Sequence, residues 1–279
     1  MLNGVMLLWF LLTAMALAFV AIDVRSMPMS RVMKWGFVLL TAYTGPIGAF
    51  LYVLGCREPL PGLHERYIAA RWRQVLGSTM HCVAGDGVGI LAGAIVASYL
   101  TLTRPLEIGL EYALGFLFGW TIFQGLFMRD MAGGSYRRAL ATTFVPELLS
   151  MNLVMAGMIV VTSLGRLVVG EPFSPLTPEF WFVMSMALLA GFVTAYPMNW
   201  WLVSKGLKHG MMTVRDPATG SEPRDGSPAM PPTMPASRGA EHAGRAEVSR
   251  REIVGMLVLS VVLFALAFVA QGELTALIG

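Results

Sequence analysis

Residues 180–203, FWFVMSMALLAGFVTAYPMNWWLV, run without a single charged side chain. At ~1.5 Å per residue, a helix of that length crosses a hydrocarbon core of about 30 Å. Helix is required because a backbone in lipid has to pair its own amides. Six more runs meet the same criterion: Leu2 to Ile22, Trp35 to Leu54, Ser78 to Leu100, Leu110 to Phe127, Phe144 to Ser163 and Ile253 to Ala270. The chain therefore reads as an all-α integral membrane protein, a polytopic bundle of about seven transmembrane helices. Composition agrees, since 56% hydrophobic and 13% charged residues leave too little polar surface to cover a soluble globule of 279 residues.

The net charge of +3 sits in the connections between apolar runs and not on one face of a soluble domain, which argues against a nucleic-acid partner. The lipid bilayer is the expected partner, and the basic residues report orientation. With the N-terminus cytoplasmic and the C-terminus outside, fifteen Lys and Arg residues fall in cytoplasmic connections and five outside, as expected for an inner (plasma) membrane protein. The connection after the first run goes against the trend, because it places Arg25, Arg31 and Lys34 outside. Cys56 and Cys82 are too few for a disulfide framework, and both fall at cytoplasmic helix ends where thiols stay reduced.

Four segments follow along the chain. Residues 1–32 hold the first helix and its loop, and 33–212 hold a compact bundle of helices two to six. Residues 213–250 turn rich in Pro, Ser, Gly and charge and read as a disordered cytoplasmic linker, and 251–279 form the seventh helix and the C-terminus. Gly85, Gly89 and Gly93 recur every four residues in the third helix, and Gly115 and Gly119 do so in the fourth. Such smooth stripes let two backbones pack closely, so these two helices are expected to pair.

Ionisable and amide side chains are costly inside an apolar run and mark candidate sites. His81, Cys82 and Asp86 lie on the third helix, Gln124 ends the fourth, Glu147 and Asn152 lie on the fifth, and Asn199 follows Pro197 late in the sixth. On the expected topology all of these fall in the cytoplasmic leaflet. Cys82 and Asp86, four apart, share a helical face, whereas His81 is about 100° round from Cys82. Glu147, Met151, Met155 and Met158 draw one stripe on the fifth helix, and thioether with thiolate favours Cu(I). The plain alternative is that these methionines are bundle core.

Several of these pieces resemble one family. The sixth helix with its continuation, FWFVMSMALLAGFVTAYPMNWWLVSKGLKHGM, closely resembles the closing segment of the bacterial membrane proteins grouped as "domain of unknown function 4396". STMHCVAGDGVG in the third helix, TAYTGPIGAFLYVLG in the second and PELLSMN in the fifth are similar too, so the resemblance covers roughly Met33 to Met212. The family pattern often has a second Cys four residues after the His-Cys pair, where this chain has Asp86. That departure keeps an anionic ligand and hardens it. The resemblance implies a multi-pass membrane protein and supplies no reaction.

The leading functional expectation is a transition metal, copper first, bound or passed at a site made by His81, Cys82, Asp86, Glu147, Met151 and Met155. A second is a non-catalytic scaffold or accessory subunit that docks a membrane protein partner. A third is a small-solute or proton-coupled carrier with Glu147 as proton site. No dinucleotide fingerprint, phosphate loop, CxxCH or HExxH pattern occurs, and nothing fixes an oxyanion hole. A binding or transport role is therefore expected ahead of an enzymatic one.

Overall fold

A computed structural model describes residues 2–60, 63–129, 134–170, 173–210 and 248–276. Among these the chain is helical, without strands: α1 Leu2–Asp23, a 3-10 turn Val24–Ser26, α2 Arg31–Gly55, α3 His64–Ile68, α4 Arg71–Leu100 and α5 Arg104–Leu117. A π-helical stretch Phe118–Gln124 carries α5 into α6 Gly125–Arg129, followed by α7 Tyr136–Val169, α8 Pro178–Ser204 and α9 Arg250–Ala276. With α5, the π stretch and α6 taken as one rod, seven helices are long and apolar enough to cross a membrane. The segment read as a linker lies outside the described residues except for its last three.

The second of these helices does not run straight. Gly45 has φ 60 and ψ −140 in the middle of α2, directly before Pro46, which has no amide hydrogen to continue the ladder. In a straight helix Phe37 and Tyr52 would be roughly 22 Å apart. Their ring centroids are 5.3 Å apart. Likewise Met29, before α2, and Cys56, after it, touch through their sulfurs at 4.0 Å. The helix is thus a hairpin that returns to the end it started from, with its apex at Gly45 against Trp9 and Thr13 of α1. Tyr52 donates to Asp23 Oδ2 at 2.8 Å and Arg57 pairs with the same carboxylate at 2.9 Å, so the foot of the hairpin is locked to the end of α1.

This fold-back changes the alternation assumed from sequence. The end of α1, both ends of α2, the start of α4, the end of α6, the start of α7, the end of α8 and the start of α9 all lie at one end of the bundle. That end carries Arg25, Arg31 and Lys34 as well as Arg57, Arg71, Arg73 and Lys205, and can be called the basic end. Leu2, at the other end of α1, lies opposite it, whereas an α2 that crossed once would have put Leu2 at the basic end.

Close backbone approach organises the interior. A Cβ at Gly89 would fall on the Leu114 carbonyl, one at Gly93 would lie 2.8 Å from Glu111 Cα, and one at Gly85 would strike the Phe123 ring, so α4 and α5 meet along the glycine stripe. Gly157 and Gly191 do the same between α7 and α8, where Thr194 also donates to the Leu153 carbonyl at 2.7 Å. The last helix is joined to this bundle by hydrogen bonds as well as contact. Asn152 accepts from Tyr112 at 2.7 Å and donates to Ser260 Oγ at 3.0 Å, linking α5, α7 and α9. α4 and α7 are the most enclosed rods, and α1 and α9 expose apolar side chains almost all round.

Candidate metal centre

The candidate site lies where α4, the π stretch, α7 and the end of α8 meet. Cys82 and Asp86, one turn apart on α4, face Glu147, one turn before Ser150 and Met151 on α7. Cys82 Sγ is 3.5 Å from Asp86 Oδ2, 3.4 Å from Glu147 Oε2 and 3.2 Å from Ser150 Oγ. A thiol has one proton to give and faces three acceptors. The Cys82 sulfur and one oxygen of each carboxyl lie within 4.8 Å of one another, and all three residues are buried.

The other side of the pair is held open by a missing side chain. Asp86 Oδ1 and Glu147 Oε1 have no hydrogen-bond partner, and both fall in the space that a Cβ on Gly119 would occupy. Gly119 sits in the π-helical stretch. A π turn inserts one residue into the helical ladder and re-aims the face around it, a device frequent at functional sites. Gly119 was expected to serve packing alone, and the structure places it over the two carboxyls.

Asn199, two residues after Pro197 in α8, donates to Ser150 Oγ at 3.0 Å and keeps Oδ1 unpartnered, so it orients the serine that faces the thiol. Lys208 supplies the positive charge. A lysine that follows two tryptophans, Trp200 and Trp201, at the end of an apolar helix ordinarily sits in the head-group region. Instead Gly206, at φ +67, lets the chain turn at the end of α8, and the amides of Leu207 and Lys208 donate back to the Leu202 carbonyl. The Lys208 side chain then enters the bundle and Nζ donates to Glu147 Oε2 at 3.5 Å, with the lysine 7% exposed. Burial pulls the ammonium pKa down. The negative groups at Cys82, Glu147 and Asp86 outweigh burial and hold it above the ordinary lysine value.

The remaining sequence candidates are elsewhere. His81 turns away from Cys82 and lies between Phe123 and Phe127, beside Gly36, with Nε2 unpartnered. Gln124 shares with it a cavity of about 10 Å³, the size of a single water, also lined by Ser78 and His209. Met151 and Met155 are fully buried among core side chains, with the Met151 methyl reaching toward Gly115. Asn152 is engaged in the link to α9. A larger cavity, about 300 Å³, lies beyond the apex of the α2 hairpin, between Trp9, Thr13, Tyr43, Leu91, Trp181 and Ser185. Tyr43 covers Gly87, the neighbour of Asp86, and so stands between that cavity and the carboxyl pair.

Residues 71–208 match the family model described as "Domain of unknown function (DUF4396)". The match begins at α4 and ends on Lys208, so it includes the whole cluster of Cys82, Asp86, Gly119, Glu147, Ser150, Asn199 and Lys208. It leaves out the α2 hairpin, which the sequence resemblance had included. No curated protein and no solved structure matches the chain.

Proposed function

With residues 71–208 belonging to a family of unknown function, we propose that the chain is an integral membrane protein that binds and passes a divalent transition metal. Cys82, Asp86 and Glu147 are its ligands. The observation that carries this reading is the convergence of one sulfur and two carboxyls within 4.8 Å in a buried, lysine-compensated pocket. Bonds of about 2.3 Å to sulfur and about 2.0 Å to oxygen, in a tetrahedral field, set those donors about 3.5 Å apart. The Cys82 sulfur is 3.5 and 3.4 Å from the nearest oxygens of Asp86 and Glu147.

Charge supports an ion of +2. With the thiol ionised, three negative ligands and the Lys208 ammonium leave two negative charges, and a divalent ion brings the pocket to neutrality, as a dry interior requires. The donor set supports the same choice. One thiolate with two carboxylates suits a borderline ion such as Zn²⁺ better than Cu(I), which favours softer thiolate and thioether donors.

Orientation follows from the fold-back. With Arg25, Arg31 and Lys34 at the basic end, a division of fifteen to five becomes eighteen to two, leaving only Arg104 and Arg166 opposite. The basic end is then cytoplasmic in a bacterial inner membrane and both chain termini are extracytoplasmic. The test is metal titration of the full chain in detergent. One Zn²⁺ per chain is expected, lost in the double variant Cys82→Ser, Glu147→Gln at unchanged helix content. Absence of any divalent ion above background in the wild type overturns the reading.

A further inference from the structure

A second group of donors lies at the foot of the α2 hairpin. Met29 comes from the connection after α1, Cys56 from the residue that ends α2, and His64 from the first turn of α3. Cys56 Sγ lies 4.0 Å from Met29 Sδ and 4.0 Å from His64 Nε2. All three are inside the protein, at 5%, 0% and 1% exposure respectively. The three segments are distant along the chain and meet because the hairpin returns to its origin and the ion pair of Asp23 with Arg57 fastens it there.

We infer that Met29, Cys56 and His64 form a Cu(I) site. The chemistry is a thioether, a thiol and an imidazole, the soft set that selects Cu(I) over harder divalent ions. A three-coordinate ion with bonds of about 2.3 Å to sulfur holds two sulfurs about 4.0 Å apart, and a nitrogen at about 2.0 Å then lies about 3.7 Å from each. The sulfur pair already has that spacing, and the imidazole nitrogen lies 4.0 Å from Cys56 Sγ, about 0.3 Å beyond it. Coordination forms the Cu–S bond of Cys56 and releases its thiol proton to solvent. Copper arrives and stays as Cu(I), so no electron is exchanged.

This site shares no residue with the Cys82, Asp86 and Glu147 cluster, and all three ligands precede residue 71, where the family match starts. A bound ion would tie the two ends of the hairpin to α3, closing a staple at the basic end.

The experiment uses the full chain in detergent, oxygen-free, with Cu(I) titrated against a chromogenic Cu(I) chelator. Cys56→Ser and Met29→Leu are each expected to weaken binding at least tenfold, and Gly4→Ala, with open space around it and outside both sites, to leave it within twofold. Equal Cu(I) affinity in wild type, Cys56→Ser and Met29→Leu, or loss confined to Cys82→Ser, overturns the inference. Should Cys56→Ser not fold, X-ray absorption of Cu(I)-loaded wild type decides it. Two sulfurs and one nitrogen are expected, and an oxygen shell or a single sulfur overturns it. Because these readouts use Cu(I) and residues outside the core cluster, failure here leaves the Zn²⁺ titration above unaffected.

Discussion

Lys208 donates to Glu147 across 3.5 Å although 61 residues separate them and the lysine lies beyond the last turn of α8. The contact closes the core cluster from the basic end and supplies its positive charge. A carboxylate buried at 0% side-chain exposure needs such a partner, because taking an unpaired charge out of water costs several kcal/mol.

Replacing Lys208 by Met should therefore lower stability by about 3–5 kcal/mol at neutral pH, the typical cost of breaking a buried pair. The wild type should also lose stability in alkali, with a definite sign. Burial lowers the Lys208 pKa, but Cys82, Glu147 and Asp86 hold it above the ordinary 10.5. The contribution is thus complete below 10.5 and disappears as pH rises through the raised value. Thermal unfolding in detergent from pH 7 to 11 should show this alkaline loss in the wild type and not in Lys208→Met.

Gly119→Ala should remove divalent metal binding at least tenfold without loss of helix. Its Cβ would lie 2.7 Å from Glu147 Oε1 and run into Asp86 Oδ1, pushing both carboxyls out of register. Gly109→Ala, on the same rod with nothing within 4 Å, is the control and should bind as wild type in a Zn²⁺ competition titration.

Gly45→Ala should destabilise the chain by about 1–3 kcal/mol, the cost of holding a side chain in a left-handed conformation. The φ of +60 penalises any Cβ, and Thr13 Oγ1 at 2.5 Å leaves no room for one. Gly4→Ala, with open space around it, should be neutral, and melting temperatures of the two variants give the comparison.

Burial pushes the Cys56 thiol pKa well above its ordinary range, so in metal-free protein it stays protonated at neutral pH. A short pulse of N-ethylmaleimide at pH 7.5, read by mass spectrometry, should leave Cys56 largely unmodified until the protein is unfolded. Rapid labelling of the native chain would contradict that burial.

The helical class was legible because apolar run length is a local property, and the pairing of α4 with α5 was legible because Gly85, Gly89 and Gly93 repeat at helical spacing. Cys82 and Asp86 were legible as one face, and Glu147 as a partner at similar depth. The reversal at Gly45 was not, since hydropathy averages over a run and does not register its direction. Two signals were present, a Gly-Pro pair in mid-run and three basic residues on the unfavoured side. Lys208 was hidden because its role depends on the turn at Gly206, which redirects a residue that composition assigns to the surface. Met29, Cys56 and His64 carry no common period, and only the hairpin brings them together.

The hairpin also bears on a question of parity. Under the proposed membrane reading, a segment that goes in and comes back adds no crossing, so the remaining six rods would make an even number of passages, with Leu2 and the last described turn of α9 at the same end of the bundle. Reporters fused to either end are therefore expected to answer alike: an enzyme that works only outside the cytoplasm should be active at both positions. A split result, one end active and the other silent, would require α2 to pass straight through.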